Sequence, residues 1–454
     1  MMRLVRQFTN MTLGLMWITS LACASETTPM SVSFRSDVAP ILIDNCLACH
    51  SAKKAEGGYR VDSFQALRQP GDSGLSPLAI PGQVSELLRR MTCVDASERM
   101  PAESEPLTEV QIQLIQRWLE AGGKFDGDDE AQTLTLVVTD VHYPQPPDKY
   151  PHAVPISAAT FSPDCEQLVT SGYHELLVWS TENNAQLVRR ITNVGQRVYA
   201  VAFSADGQTL AVGGGEPGKS GEVRLIDYPS GAIKAVVSRT NDVVLDLAYH
   251  PIENVLAIGA ADSTIRLVDG GTFETIQTIA SHADWVTAVA WSEDGTRLAS
   301  ASRDKSVKIH ERTSGQLIAS YLGHGAAVRG VSILADNQQV VSVGADNKLH
   351  RWNVDGAKKI SELSLAGEGY HLIRNGERLF VPCSDRRLLQ IDLTKNTIVN
   401  EFLGHQDWVL TACYRSGADG DTGQELLASG AFDGEVRLWN TADRTARCSW
   451  VAKP

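Results

Sequence analysis

Two cysteines and a histidine lie close together near the start of the chain, in Cys46-Leu47-Ala48-Cys49-His50. Thiols three positions apart on one helical turn can add to the two vinyl groups of one porphyrin edge, and the next residue can present an imidazole to the iron. A redox cysteine pair would leave the histidine without a role. A zinc site would need a second ligand pair at finger spacing, which does not follow. The motif therefore predicts one covalent haem c held by Cys46, Cys49 and His50.

The candidates for the second axial ligand can be reduced to a few by counting the histidines and methionines. His50 is the only histidine between residues 25 and 141, and beyond residue 24 the methionines are Met30, Met91 and Met100. Pro101 favours an extended backbone at Met100, which suits a ligand loop. A thioether ligand raises the reduction potential, as an electron carrier needs. We therefore expect Met100 to bind the iron, with Met91 as the main alternative and a histidine from outside this segment as another.

Helices on either side of the motif are expected to enclose the haem. Residues 34–46 carry apolar side chains at helical spacing, although Pro40 requires an early or kinked start. A second helix is predicted to begin at Thr108, in the capping box Thr-Glu-Val-Gln, and to end at Gly122. Trp118 lies on its apolar face, so we assign this side chain to the core rather than to electron transfer.

Residues 31–126 resemble the short planctomycete-type cytochrome c domain, through the attachment motif near the start, a Met-Pro ligand loop and a closing helix. The resemblance implies a small all-α c-type cytochrome domain. The family pattern is typically Met-Pro-Pro, whereas Ala102 follows Pro101 in this chain.

Residues 1–24 have the organisation of a secretory signal peptide. Two arginines precede the apolar stretch 11–21, and an Ala-Cys-Ala sequence favours cleavage after Ala24. The stretch is shorter than the roughly 20 residues that span a bilayer, which disfavours an uncleaved anchor. The residues before Cys23 make a poor lipobox, which disfavours a lipoprotein. We expect a protein exported to the periplasm or another extracytoplasmic space, with no membrane span in the mature chain.

Residues 127–150 are interpreted as a linker, and residues 151–454 as a repeat region with a period of about 42 residues. Short alternating strands at this period predict an all-β propeller of seven blades. The third strands of the blades are expected at 177–179, 224–226, 266–268, 308–310, 350–352, 389–391 and 437–439. The strand that closes the propeller is supplied either by residues 446–451 or by a strand-like stretch of the linker, residues 134–138.

Several repeats carry residues that resemble the hydrogen-bonded tetrad of WD40 repeats. Two sets are His324, Ser342, Asp346 and Trp352, and His405, Ser429, Asp433 and Trp439; a third has His282, Ser300 and Asp304, with His310 where tryptophan is usual. Recurrence at one place in successive repeats indicates a structural network rather than a metal or catalytic site. The resemblance implies an interaction platform, on which Trp285 and Trp408 occupy matching positions and are candidate partner contacts.

Composition limits the remaining function classes. The 454 residues include 41 Lys and Arg against 54 Asp and Glu, a net charge of −13, which argues against nucleic-acid binding and against an anionic membrane surface. Eight cysteines are too few for a disulfide scaffold. After signal-peptide removal and haem attachment five cysteines remain, namely Cys93, Cys165, Cys383, Cys413 and Cys448. Because five is an odd number, at least one of them is not paired in a disulfide within the chain.

These observations predict an exported chain in which a monohaem c-type cytochrome domain precedes a WD40 propeller. Its function would be one-electron transfer with an unidentified redox partner protein docked on the propeller. Iron with both axial positions filled has no vacant site for substrate, which favours an electron carrier over an enzyme. Two alternatives remain. One is a haem-containing scaffold or sensor, and the other is a propeller oxidoreductase with a second cofactor, although the sequence has no second Cys-x-x-Cys-His motif.

Overall fold

A computed structural model describes residues 32–454 except 48, 52–53, 79–83, 96, 103–105, 128, 138–142, 183–184, 241, 274 and 416–424. The predicted signal peptide, residues 1–24, lies outside the described residues. Within the described part of the chain, none of the helices has the length and apolar character that crossing a bilayer requires.

The N-terminal region contains only a few short helices. Its described residues form α1 (Ala39–Asn45), α2 (Phe64–Leu67), α3 (Glu86–Thr92), α4 (Glu109–Glu120) and α5 (Leu134–Val137). The predicted single helix over residues 34–46 is divided, because a π-helical turn (Phe34–Val38) precedes α1 and Pro40 lies in the first turn of α1. The expectation of an all-α domain is corrected accordingly: most of this region is irregular, with two-turn and shorter helices around α4.

Helix α4 is the longest of these and forms as the sequence predicts. Thr108 caps it through the capping box with Gln111. Trp118 is fully buried beside Phe34 and Phe64, and its Nε1 atom donates to the carbonyl oxygen of Lys124 at 2.8 Å. The tryptophan is therefore a core residue, as predicted.

The strand-like stretch in the predicted linker is a helix instead. Leu134 and Val137 of α5 are buried in the same core as Trp118, and the backbone N–H of Leu134 donates to the carbonyl oxygen of Asp62 at 2.8 Å. Burial against the helical region overrides the β-like alternation of these residues. Residues Ala446–Val451 supply the last outer strand, as the other alternative proposed.

The rest of the described chain is antiparallel β-structure. The first sheet contains seven strands: β1 (Ala159–Phe161), β2 (Gln167–Ser171), β3 (Tyr173–Ser180), β4 (Leu187–Phe203), β5 (Thr209–Glu216), β6 (Ser220–Asp227) and β7 (Ala232–Thr240). Five four-stranded blades follow. The first two are β8 (Val244–Tyr249), β9 (Val255–Ala260), β10 (Ile265–Asp269) and β11 (Thr275–Ile279), then β12 (Val286–Trp291), β13 (Arg297–Ser302), β14 (Val307–Glu311) and β15 (Leu317–Tyr321). The other three are β16 (Val328–Ile333), β17 (Gln339–Gly344), β18 (Lys348–Asn353) and β19 (Lys358–Ser364); β20 (Ile373–Asn375), β21 (Arg378–Pro382), β22 (Leu388–Asp392) and β23 (Thr397–Phe402); and β24 (Val409–Arg415), β25 (Leu426–Ala431), β26 (Glu435–Trp439) and β27 (Ala446–Val451).

The prediction of a seven-bladed propeller is wrong. The described residues form five four-stranded blades, and the first two repeats merge into one sheet because β4 runs without a break from β3 to β5. Gly195 permits this course, since a Cβ atom there would lie 2.9 Å from the backbone nitrogen of Gly215. All seven segments predicted as third strands do lie within strands, so the predicted repeat period is confirmed. The predicted division of the first two repeats into separate sheets is wrong.

The sheets form a ring around a central cavity of about 380 Å³, which the inner strands line. The ring closes where the last blade meets β1: the N–H of Ile156 donates to the carbonyl oxygen of Ala431 at 3.1 Å, and the rings of Trp179 and Trp450 lie 5.6 Å apart. Each described sheet is built from consecutive strands, so no strand is shared between the two chain ends, and this junction rests on that backbone hydrogen bond together with side-chain packing.

Tyr143 attaches the segment after α5 to the seven-stranded sheet. Its backbone N–H donates to Oδ1 of Asn193 at 2.9 Å, and its ring lies 4.8 Å from the Arg224 guanidinium and 5.4 Å from the His174 ring. Asn193 and His174 both have left-handed backbone, with φ of 62° and 59°. The contact falls at the middle of β4, where the two merged repeats meet.

Candidate functional site

The attachment motif lies directly after α1. Cys46 is the C-cap residue of this helix, and the backbone N–H groups of Cys49 and His50 both donate to its carbonyl oxygen, at 3.2 and 3.0 Å. The three residues therefore occupy a single turn, the local geometry that the motif requires.

A cavity of about 430 Å³ lies beside this turn and is lined by Cys46, His50, Met91 and Met100. The structure thus brings three of the four predicted site residues together, along with the alternative thioether. Cys49 is not part of the lining, and its Sγ atom lies 3.8 Å from Nζ of Lys54. Apolar groups complete much of the wall, namely Tyr59, Val61, Leu75, Pro77 and Leu87.

The imidazole of His50 is held in one tautomer. Its Nδ1 atom lies 3.2 Å from the carbonyl oxygen of Tyr59. A carbonyl oxygen only accepts hydrogen bonds, so Nδ1 carries a proton, and in the neutral ring the lone pair is therefore on Nε2. A backbone acceptor on one ring nitrogen is the usual support for a histidine that binds metal through the other.

Both motif cysteines are free thiols. Burial, together with the neighbouring Cys49, raises the pKa of Cys46 to about 12. The free Cys46 thiol is therefore protonated at neutral pH, which makes it a poor redox nucleophile.

The two methionines reach the cavity from different backbone settings. Met91 lies on α3 and is buried in the hydrophobic core, with 3% of its surface exposed. Met100 is half-buried and lies in the following loop, where its N–H donates to the carbonyl oxygen of Arg90 at 2.9 Å. Met91 is packed against other core side chains, whereas Met100 is positioned by a hydrogen bond of its backbone.

These groups fit a haem. The set comprises an imidazole with a free Nε2, a neutral thiol at the cavity wall and two thioethers, in a largely apolar cavity within the roughly 300–1,000 Å³ range of ligand sites. Most of the lining residues were not predicted from the sequence, among them the charged residues Glu86 and Arg90. Their i,i+4 spacing signals only a helix ion pair, so proximity to the cavity could be found only from the fold.

The tetrad residues form structural networks. His324 bonds Asp346 through Nδ1 at 2.9 Å and Ser342 through Nε2 at 2.8 Å, and His282 does the same with Asp304 and Ser300. In the last blade one prediction is corrected: Nδ1 of His405 pairs with Glu435 at 2.8 Å, and Asp433 instead accepts the N–H of Glu435. Glu435 lies on β26 under the histidine, while Asp433 belongs to the turn before it.

Two further histidines lie beside these networks. The His350 ring stacks on His324 with centroids 4.0 Å apart, and with Asp346 the two histidines offer ligand atoms within 4.8 Å of one another. Both ring nitrogens of His324 are already hydrogen-bonded, which supports the structural interpretation over a metal site. His310 is buried, and among the described residues neither of its ring nitrogens has a partner.

The two candidate contact tryptophans differ in accessibility. Trp408 is 49% exposed and lies 5.8 Å from the ring of Phe432, which is 48% exposed. The guanidinium of Arg303 covers the Trp285 ring at 4.2 Å. An exposed aromatic pair is therefore present near Trp408.

Comparison with known proteins identifies both parts of the chain. Residues 46–104 match the family described as Planctomycete cytochrome C, and residues 186–227, 273–311, 315–353 and 396–440 match the WD domain, G-beta repeat. The chain is a fusion of these two kinds of segment. The cytochrome match is narrower than the predicted domain of residues 31–126.

Curated relatives align with about half of the chain. WD repeat-containing protein 1 of Xenopus tropicalis is 26% identical over 52% of this chain and 39% of its own length. Actin-interacting protein 1 of Drosophila melanogaster is 23% identical over 50% and 38%, and WD repeat-containing protein 1 of Gallus gallus is 24% identical over 51% and 39%. The chain therefore spans well under half the length of these relatives.

Proposed function

We propose that the protein is an exported monohaem c-type cytochrome that transfers single electrons, and that its propeller docks a redox partner protein. The observation that carries the proposal is the shared cavity of Cys46, His50 and Met100. When bound, haem supplies a one-electron ferric/ferrous couple.

The chain's own residues attach and orient the group. Cys46 and Cys49 would hold a haem covalently, each S–H adding across one vinyl C=C bond with sulfur on one carbon and hydrogen on the other, which would need no oxidant. Nε2 of His50 is the nitrogen available for iron, because Nδ1 donates to the carbonyl oxygen of Tyr59. Met100 would provide a thioether ligand to the iron, with Met91 as the alternative, since both methionines line the cavity. The apolar wall excludes water, which favours the less charged ferrous state.

Docking is assigned to the propeller because WD40 repeats make up most of this part of the chain. The exposed rings of Trp408 and Phe432 offer the kind of aromatic anchor that dominates protein interfaces. The acidic net charge of −13 favours a partner with a cationic surface.

Export follows from the N-terminal sequence, residues 1–24. A mature N-terminus at Ser25, determined by mass spectrometry of protein recovered from the periplasm, is the expected result. An intact N-terminus on cytoplasmic protein would contradict the proposal.

The direct test is production in a host that attaches haem c, followed by absorption spectra of oxidised and reduced protein and haem staining after denaturation. One covalent, low-spin haem per chain is expected. Colourless protein would overturn the proposal. Ready binding of carbon monoxide by the reduced protein would instead favour a sensor, because it requires an open axial position.

A further inference from the structure

The described lining of the proposed haem cavity contains more negative than positive side chains. Among the described residues, Glu56, Asp72 and Glu86 contribute carboxylates to the lining, and Arg90 is its only arginine or lysine. A haem carries two propionate carboxylates, which would be repelled by three of these four groups. Among the described residues of the wall, Arg90 is the one permanent cation that can receive them.

Arg90 is held by one edge only. Its Nε atom donates to Oε1 of Glu86 at 2.8 Å, and its Nη1 atom reaches the carbonyl oxygen of Glu98 only at 3.5 Å. In the described part of the chain its Nη2 atom makes no hydrogen bond. The guanidinium therefore keeps donors available while its position is fixed through Nε.

Glu86 is itself anchored by a second arginine. Arg89 donates to both of its carboxylate oxygens, at 2.6 and 2.9 Å. The Arg89 hydrogen bond is the main cause that lowers the pKa of Glu86 to about 2. Glu86 is thus ionised at all physiological pH values and forms a stable support for Arg90. Arg89 shares this carboxylate but does not line the cavity.

We propose, resting on the function proposed above, that Arg90 binds a propionate carboxylate of the haem and that Glu86 is its positioning residue. A guanidinium pairs with a carboxylate through parallel N–H donors, which a lysine cannot reproduce. Arg90 thereby raises the reduction potential, because a nearby positive charge disfavours the more positive ferric iron.

The test compares Arg90→Gln with Arg89→Gln in the full-length, haem-loaded protein. Each substitution removes one arginine from Glu86, but only the first removes a cation from the cavity. The midpoint potential is measured by spectroelectrochemical titration from pH 5 to 9. In Arg90→Gln we expect a lower potential, and a pH-dependent segment that moves to higher pH because the propionate loses the cation that favours its ionised form. Arg90→Lys should fall between this variant and the unsubstituted protein.

Equal potentials and equal pH profiles in Arg90→Gln and Arg89→Gln would overturn the inference and leave Arg90 as a helix ion pair. That result is distinct from failure of the proposed function, which would appear as absence of covalent haem in the unsubstituted protein. If Arg90→Gln does not fold, Arg90→Lys is compared with Arg89→Lys: because lysine keeps the charge but loses the paired donors, a smaller shift in the same direction is expected in Arg90→Lys only, and equal profiles would overturn the inference.

Discussion

His50 and Tyr59 are joined by a hydrogen bond between the histidine Nδ1 atom and the tyrosine carbonyl oxygen, 3.2 Å apart. The same tyrosine donates its hydroxyl to the carbonyl oxygen of Leu67 at 3.0 Å. Tyr59 therefore connects the imidazole to α2 through its two ends, while its ring lines the cavity between them. The orientation of His50 therefore depends on the position of Tyr59, whose carbonyl oxygen holds the imidazole and whose hydroxyl is bonded to α2.

The double variant Cys46→Ala, Cys49→Ala should lose covalent haem, because no thiol remains in the motif to form a thioether. Haem staining on a denaturing gel should fall to background while the β-sheet circular dichroism is retained. Cys93→Ala is the matched control, since Cys93 is another half-buried free thiol at the end of α3. Staining that persists in the double variant would refute the attachment site.

Met100→Ala should change the iron to a high-spin or differently ligated state with little loss of stability, because the Met100 side chain is half-buried. Met91→Ala should lower the free energy of unfolding by about 2–5 kcal/mol, as expected for a buried methionine. Absorption spectra and urea denaturation distinguish the two effects. A normal low-spin spectrum in Met100→Ala with a changed one in Met91→Ala would transfer the ligand role to Met91.

His310 should make the propeller sensitive to acid. Burial, with His282 and Lys308 nearby, lowers the pKa of His310 to about 4, against about 6.5 in the unfolded chain. The unfolded state therefore takes up a proton first, so stability is complete above pH 6.5 and about 3 kcal/mol is lost as the pH falls to 4. His310→Leu should reduce this loss in urea unfolding measured at pH 7 and pH 4.5. The exposed His152 provides the control, and equal acid sensitivity in His310→Leu and His152→Leu would contradict the assignment.

Tyr143→Ala should loosen the N-terminal region from the sheets. The ring contacts with Arg224 and His174 would be lost while the backbone bond to Asn193 is kept. We expect a larger radius of gyration in small-angle scattering and a loss of about 0.5–2 kcal/mol, the size of a cation–π contact. Tyr173→Ala is the control, because Tyr173 also contacts His174, at 4.7 Å, but belongs to β3. Unchanged scattering in Tyr143→Ala would show that other contacts hold the region.

Local sequence signals predicted much of the fold. The capping box at Thr108, the buried Trp118 and the position of every third strand are confirmed, because each depends on a short pattern. The merger of two repeats was missed since residues 187–203 carry only one weak turn signal, at Gly195, and a strand can continue through it. Leu134 and Val137 were misread because a short apolar run does not distinguish a strand from a buried helix.

The proximity of Cys46 and His50 could be predicted from the spacing of the motif, whereas contacts that depend on tertiary packing could not. Cys46 and His50 follow from their motif, whereas the Tyr59 carbonyl has no side-chain signature and Arg90 looks like any surface arginine on a helix. The exchange of Asp433 for Glu435 at His405 has the same origin. Asp433 and Glu435 are two residues apart, and the sequence alone does not show which carboxylate pairs with His405. The geometry of the strand places Glu435 beside the histidine.

The junction between β1 and the last blade makes the molecule a split ring. At every other boundary between neighbouring sheets the polypeptide passes from one sheet to the next, but here, among the described residues, the edges are held by non-covalent contacts, including those of Ile156, Trp179 and Trp450. Thermal or mechanical opening should therefore start at this gap, with β27 and β1 the first strands to exchange their amide protons.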